Sequence, residues 1–531
     1  MSITPEKLSA TYSTLVERLA KTSTNYKALD EFLKSTAEQA SQNPAKFTIA
    51  HIPSGLPVSP GIEFDPFEGI AGLVHRLEQP AAKDSCRLII VENICAQTIS
   101  LLGERFDIDP QFFADHLNNE PWYRIANVPD RIPALPSTQK YHDFLQLRYI
   151  EPRKISSYQD LFHGDQPFVV EAENAEVVGD ETLVSDAKSF MKPDEKTTRI
   201  PRKAGKLTPR VRKGREFEPL LCTRQVITAW FEKNDDGSVG WTGVILLDPP
   251  FKLPAGNLYC EPAGHRSFNR RVSLLDDVQN TPQPTSNHEA LVCHLRERFS
   301  NCPSLLESAK SDCFLVLGDI YRLVASNWIV INEYVNRELA TIEYILEKEE
   351  PTFRDLEVYL KDLYIYRRRV TRYHELITQA KEQCTTRGQR SWSHGDTSAL
   401  SLEHAKDMEA DFIYLQDKVL ATSRRIEKNI DLLTALVSIG EGKQALDENR
   451  ALAKLSLLAT VFLPFSTVAT IFSIQGGYGP GEDMFWMFWA IAIPLTALVL
   501  ALSVLYYGIG VSILKRMVSS LVSKKAWKIL G

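Results

Sequence analysis

The chain has 531 residues, of which 44% are hydrophobic and 24% charged, with a formal net charge of -6. That length leaves room for more than one domain, and the mildly acidic balance gives no support to nucleic-acid binding, which calls for a basic face. The eight cysteines never fall as CxxC, so no zinc signature is present and a reduced cytosolic compartment is expected.

The N-terminus, MSITPEKLSATYSTLVERLA, has no apolar core, so no secretory signal is expected. Glu6, Glu17, Asp30 and Glu31 also oppose a transit peptide. Arg87–Val91 (RLIIV) reads as a buried strand, followed by a helix over Ala96–Arg105. Asp109 and Pro110 then have the character of an N-cap and a first-turn proline. Phe144–Ile150 and Arg224–Glu232 alternate as strands do, and the latter turns through NDDG into Val239–Leu247, a hairpin signal. Between them Glu171–Asp186 is acidic and Lys192–Arg215 is basic with interspersed prolines. The expectation is a disordered, solvated insertion over about 171–215; the partner it would take, if any, is the anionic cytosolic lipid surface. Residues 1–313 therefore read as an α/β cytosolic domain, with Asp276–His288 as a further polar loop.

Residues 314–454 read as long helices and a stalk. Phe314–Glu349 and Thr352–Cys384, separated by Glu350 and Pro351, predict an antiparallel helix pair. Thr385–Ala399 predicts a mobile loop. From Leu402 to Asn449 a stripe of Met408, Phe412, Leu415, Val419, Ile426, Ile430, Leu433 and Val437 predicts an amphipathic helix running straight into the next apolar segment, with Gly440 and Gly442 able to bend it.

Two uncharged runs come next, Leu455–Ile474 and Met484–Gly510. About 20 apolar residues at 1.5 Å rise cover a ~30 Å hydrocarbon core, so both predict transmembrane helices. Trp486 and Trp489 at one end of the second, and Tyr506 and Tyr507 at the other, suit the interfaces. Lys443, Arg450 and Lys454 precede the first run, and Lys515, Arg516, Lys524, Lys525 and Lys528 come after the second. The connecting GGYGPGED has no basic residue and ends in Glu482 and Asp483, so the positive-inside rule predicts both termini in the cytosol and this loop outside. Its glycines reverse the chain; no basic side chain is there to make a phosphate loop.

On the first span Asn449, Leu452, Leu455, Ala459, Leu463, Ser466, Thr470 and Ser473 share one face. Small and hydroxyl residues at such spacing serve helix packing, or the wall of a water-lined pore built from several copies.

Asn449–Gln475, NRALAKLSLLATVFLPFSTVATIFSIQ, resembles the stalk end and first membrane helix of the CorA-type divalent metal transporters. The segments Cys86–Leu117 and Trp230–Pro250 resemble divergent CorA-like proteins of fungi. The resemblance implies an α/β cytosolic domain, a helical stalk, a two-helix membrane hairpin and a homopentamer in the lipid bilayer, the plasma membrane being favoured. It implies a channel or transporter for divalent cations, Mg2+ foremost, with Mg2+ as transported and regulatory ion and no tightly held cofactor. Pore-facing positions would be Asn449, Leu452, Leu455, Ala459, Leu463, Ser466 and Gln475, with Thr470 on the same face. The family's tyrosine-glycine-methionine-asparagine hallmark is here Phe472, Ser473, Ile474 and Gln475. Ser473, Ile474 and Gln475 thus occupy the filter position, where the Gln475 carboxamide could meet the metal through its hydration water. Glu482 and Asp483 would concentrate cations outside. Cytosolic sensor carboxylates are not placed, although Asp407, Glu409, Asp411, Asp417 and Asp431 lie on or near the stalk.

An enzyme is not expected. HEALVCH (His288–His294) spaces its histidines six apart rather than four, and neither GxSxG nor a Walker motif is present. A conduction-deficient scaffold or sensor of the same fold, and a dimeric tether using the stalk as a coiled coil, are the alternatives.

Overall fold

The computed structural model describes residues 5–35, 45–52, 62–78, 85–118, 135–139, 141–154, 162–163, 166–167, 204–208, 220–234, 240–249, 261–262, 286–348, 351–392, 399–473 and 480–503. The chain divides into two compact units, one comprising Met1–Glu350 and Lys361–Asn429, the other Pro351–Leu360 and Ile430–Gly531.

The first unit opens with helices α1 (Pro5–Thr22) and α2 (Lys27–Ser35), strands β1 (Lys46–Ile52) and β2 (Glu63–Glu68), and helix α3 (Ile70–Glu78). Strand β3 (Cys86–Glu92), helices α4 (Ala96–Arg105), α5 (Pro110–Leu117) and the single turn α6 (Pro136–Gln139) continue it. Next come β4 (Phe144–Lys154), a small hairpin of β5 (Phe162–His163) and β6 (Gln166–Pro167), β7 (Ala204–Thr208), β8 (Leu220–Lys233), β9 (Trp241–Leu247) and β10 (Glu261–Pro262). The sheet order is β10-β4-β8-β9-β3-β1-β2, with β7 also on β8; β3 and β9 run parallel and the other pairs antiparallel.

Period-2 alternation splits the sheet into two faces. Phe47, Ile49, Ile89, Val91, Val244, Leu246 and Trp230 pack with α1–α5 in one core. There Asp109 caps α5, its side chain accepting from the Gln111 amide at 2.8 Å. Gly103 is where α1 approaches α4: a Cβ there would overlap the Tyr12 ring, whose hydroxyl donates to the Ile108 carbonyl at 2.8 Å. The other face meets helices α7 (Asn287–Asn301), α8 (Pro303–Ser311) and the 3-10 turn Cys313–Leu317. Trp241 Nε1 donates to the Ala309 carbonyl at 2.8 Å across that contact. At its edge buried Glu92 accepts from the Ser286 hydroxyl and the His288 amide at the start of α7, and burial raises its carboxyl above the ordinary range.

Of the expected insertion, 171–203 and 209–215 lie outside the described residues, but Ala204–Thr208 is a strand rather than disordered, solvated chain. The reason is an open edge: β9 pairs β8 only from Ile227 onward, and β7 fills the vacant ladder at Thr223, Cys222 and Leu220.

Helix α9 (Gly318–Lys348) has the hydropathy of a membrane span, yet its apolar window, counted with the preceding turn, is 78% buried inside the protein. It is a core helix. Helix α10 (Phe353–Thr386) runs antiparallel to it, with Tyr321 beside Gln383 and Trp328 beside Tyr373. Helix α11 (Ala399–Ser473) runs parallel to α9 through Asn429. The expected stripe of Met408, Phe412, Leu415, Val419 and Ile426 is its buried side. Thr422 donates to Asn332 at 2.9 Å, and Glu343 accepts from Arg425 Nε and Asn429 at 2.8 Å each.

The segment expected to be a mobile loop is ordered over Thr385–Trp392. The α10 C-terminus closes with Gly388 N–H on the Gln383 carbonyl and Arg387 N–H on Cys384, a Schellman arrangement with Arg387 left-handed at φ 55°. Trp392, 3% exposed, then inserts against Phe231 and donates to the Asp143 carbonyl at 2.6 Å. A buried indole with a satisfied N–H pins the backbone there. Residues 393–398 lie outside the described residues.

Candidate functional site

In the second unit the first apolar run continues α11 as helix to Ser473, and the second forms α12 (Trp486–Ser503). Each has an apolar window only 11% buried, in contrast to α9. Surfaces of that hydropathy and length match a bilayer interior.

The two helices meet through one side of α11. Val468 and Pro464 are buried, Val461, Phe465 and Phe472 half-buried, and the Phe465 ring lies 6.4 Å from Phe488 and 6.2 Å from Trp489. On α12, Ala492 and Thr496, one turn apart, are buried. At roughly 100° per residue the Val461–Phe472 set points one way on α11. Asn449, Leu452, Leu455, Ala459, Leu463, Ser466, Thr470 and Ser473 point the opposite way, and all eight are exposed.

Two hydroxyls of that exposed face bond within their own helix. Thr470 donates to the Ser466 carbonyl and Ser473 to the Thr470 carbonyl, both at 2.8 Å, so each hydroxyl proton is satisfied within the helix. The oxygen lone pairs stay available as acceptors. Pro464 has no N–H and leaves the helix one backbone bond short, while Thr467 Oγ1 bonds the Pro464 carbonyl at 2.8 Å. Earlier in α11, Gly440 lets the Phe353 ring approach: a Cβ there would lie 3.2 Å away.

Ile474 and Gln475 lie outside the described residues, as do the residues after Ser503 with the basic tail. Glu482 and Asp483 are exposed beside Gly481, whose φ of 101° is the left-handed region that favours glycine. The Phe485 amide bonds back to the Glu482 carbonyl at 3.1 Å and starts the turn into α12.

Asp407, Asp411, Asp417 and Asp431 are exposed along α11, and Glu409 accepts from the Thr385 hydroxyl at 2.8 Å. Among the described residues, no three His, Cys, Asp or Glu gather as metal ligands. His288 sits on the first turn of α7, buried, and desolvation with the nearby Lys46 charge lowers its pKa to about 4. His294 lies six residues along, off that face.

Sequence reasoning missed two polar features. The rung joining Asn332, Asn336 and Glu343 to Thr422, Arg425 and Asn429 needs the partner helix to be known before it can be seen. The arginine face of α10 was legible as RRRVTR but carried no motif.

The family model described as CorA-like Mg2+ transporter protein matches residues 289–507. Those residues are similar to a CorA-like domain. The match covers less than half of the chain and takes in α7–α12, among them both exposed apolar helices. Among solved structures, "The complete structure of CorA magnesium transporter from Methanocaldococcus jannaschii" is similar at 10% identity and a TM-score of 0.37, covering 86% of this chain and 96% of that one. The comparison with curated proteins gives no match.

Proposed function

We propose that several copies of this CorA-like chain, five by family resemblance, form a passive channel for divalent cations, with Mg2+ as the principal ion. The observation that carries the reading is the division of α11: one side packs on α12, and the opposite side presents Asn449 through Ser473 away from that contact. A single hairpin encloses nothing, so a pathway on that face requires neighbouring copies. Leu452, Leu455 and Leu463, exposed by 62%, 65% and 67%, would form apolar rings that gate by dewetting. Ser466, Thr470 and Ser473 would offer oxygens to the water shell of an ion that dehydrates reluctantly. Gln475 would add a carboxamide near the outer end, and Glu482 and Asp483 a cation-attracting rim. Both termini would lie in the cytosol. A ~100 mV potential contributes ~2.3 kcal/mol per charge, doubled for a divalent ion, which drives uptake without ATP.

Flux into vesicles holding the purified protein, compared for Mg2+, Co2+, Ni2+ and Zn2+, tests the reading. Saturable Mg2+ entry, lost in Gln475→Ala and made leaky by Leu463→Asn, is the expected result. A second reading, a non-conducting membrane scaffold, is favoured by the departure of Ser473-Ile474-Gln475 from the family hallmark. Entry no faster than in empty vesicles would establish it and remove the first.

A further inference from the structure

Helix α10 carries a second polar face that the channel reading does not use. Tyr364, Arg367, Arg368, Thr371, Arg372 and Glu375 recur at three- and four-residue steps and line a surface cavity of about 780 Å³. Glu427 of α11 also lines it. The alternating set on the same helix, Leu363, Tyr366, Val370, Tyr373 and Ile377, is buried, so the arginines are held on the outward face by core packing. That volume suits a small organic ligand, pockets for which run to roughly 300–1,000 Å³.

Three guanidiniums against two carboxylates make the lining basic, and the carboxylates brace rather than neutralise it. Glu375 accepts from Arg372 Nη1 at 2.6 Å, and Glu427 lies 3.7 Å from Arg367 Nη1. The Arg367 and Arg372 guanidiniums have five N–H donors each, more than these carboxylate contacts use. Arg372 Nε is buried with no hydrogen-bond partner among the described residues, which leaves a desolvated donor wanting an acceptor. The Arg367 guanidinium lies 5.1 Å above the Tyr364 ring, and that tyrosine is 43% exposed, so an aromatic surface adjoins the charged one.

Forked donors on successive turns recognise phosphate oxygens, and an exposed ring beside them accepts a flat base by stacking. We propose that this cavity is a binding site for a nucleoside triphosphate, with Arg367, Arg368 and Arg372 holding the phosphates and Tyr364 stacking the base. The site does not depend on whether the chain conducts ions.

The test is equilibrium dialysis of labelled ATP against the full-length protein in detergent, with inorganic tripolyphosphate as a base-free probe and phosphoinositide-bearing vesicles as a lipid-borne one. Saturable binding of ATP and tripolyphosphate, weakened by salt, is expected. Arg372→Gln should weaken both at least tenfold and Arg372→Lys by less, because lysine keeps the charge and loses the fork. Arg296→Gln, the same loss of charge outside the cavity, should leave both unchanged. Tyr364→Ala should weaken ATP several-fold and leave tripolyphosphate as it was. No saturable ATP binding at millimolar concentration overturns the proposal. So does equal weakening by Arg296→Gln, or binding confined to the phosphoinositide vesicles. An ATP affinity indifferent to Tyr364→Ala overturns the base assignment.

Discussion

Arg387 is held in a conformation its side chain makes worthwhile. Its backbone is left-handed at φ 55°, which costs a non-glycine residue about 1 kcal/mol. Its guanidinium, 13% exposed, pairs with the Asp312 carboxylate, 3% exposed, and reaches the Ser401 hydroxyl at 3.0 Å. Asp312 also accepts from Ser401 and from the Phe314 amide at 3.2 Å, so one buried carboxylate gathers the end of α10, the start of α11 and the turn before α9. Arg387→Gly removes the strain and leaves that carboxylate short of its cation. Breaking a buried pair costs about 3–5 kcal/mol, against about 1 kcal/mol of strain relieved, so the net loss is about 2–4 kcal/mol. Urea unfolding of the detergent-solubilised protein reads it, followed by tryptophan fluorescence, to which buried Trp392 in the adjoining segment contributes. The double variant Arg387→Gly/Asp312→Asn should be less destabilised than the sum of the singles by at least about 1 kcal/mol, because the unpaired charge is gone. An Arg387→Gly variant as stable as the parent, or two strictly additive substitutions, would refute the reasoning.

Two further outcomes rest on buried polar groups. His288 stays neutral in the fold down to about pH 4, whereas an unfolded histidine takes its proton near 6.5. Its folded pKa is depressed, so below 6.5 the unfolded chain binds more protons and stability falls as pH drops towards 4, by up to about 3 kcal/mol. His288→Gln should flatten that limb of an unfolding-versus-pH curve. Thr422→Val keeps the shape of the α9–α11 contact but strips Asn332 and Asn336 of their hydroxyl partner. Leaving buried amide groups short of a bond costs about 1–3 kcal/mol, measurable in the same urea titration. Ala421→Ser, at the exposed position beside it, is the control and should cost under about 0.5 kcal/mol.

Much of the architecture was readable because its signals are local. Ala96–Arg105, the Asp109 cap and the strand around Arg87–Val91 come from short-range periodicity and capping chemistry. The apolar runs likewise announced helices that keep their surface exposed. What escaped was decided at a distance. Ala204–Thr208 became a strand because β9 leaves an edge of β8 open, and Trp392 ordered a loop because Phe231 and Asp143 wait for it. The side of α11 that meets α12 was undecidable from one helix: Phe465 and Val468 are no more apolar than Leu455 or Leu463, and only the aromatic cluster of Phe488 and Trp489 selects them.

The buried apolar helix α9 poses a sorting problem while the chain is being made. Among the described residues three stretches have membrane-grade hydropathy, and Cys313–Lys348 is the first of these in sequence. The sheet and the helices that precede it in sequence offer one side of its burial; α10 and the first part of α11 follow it and supply the rest. Sorting between protein core and bilayer therefore rests on how quickly Tyr321, Trp328 and their neighbours find protein surface, and a lesion in α10 or early α11 would be felt as misplacement of a core helix into lipid.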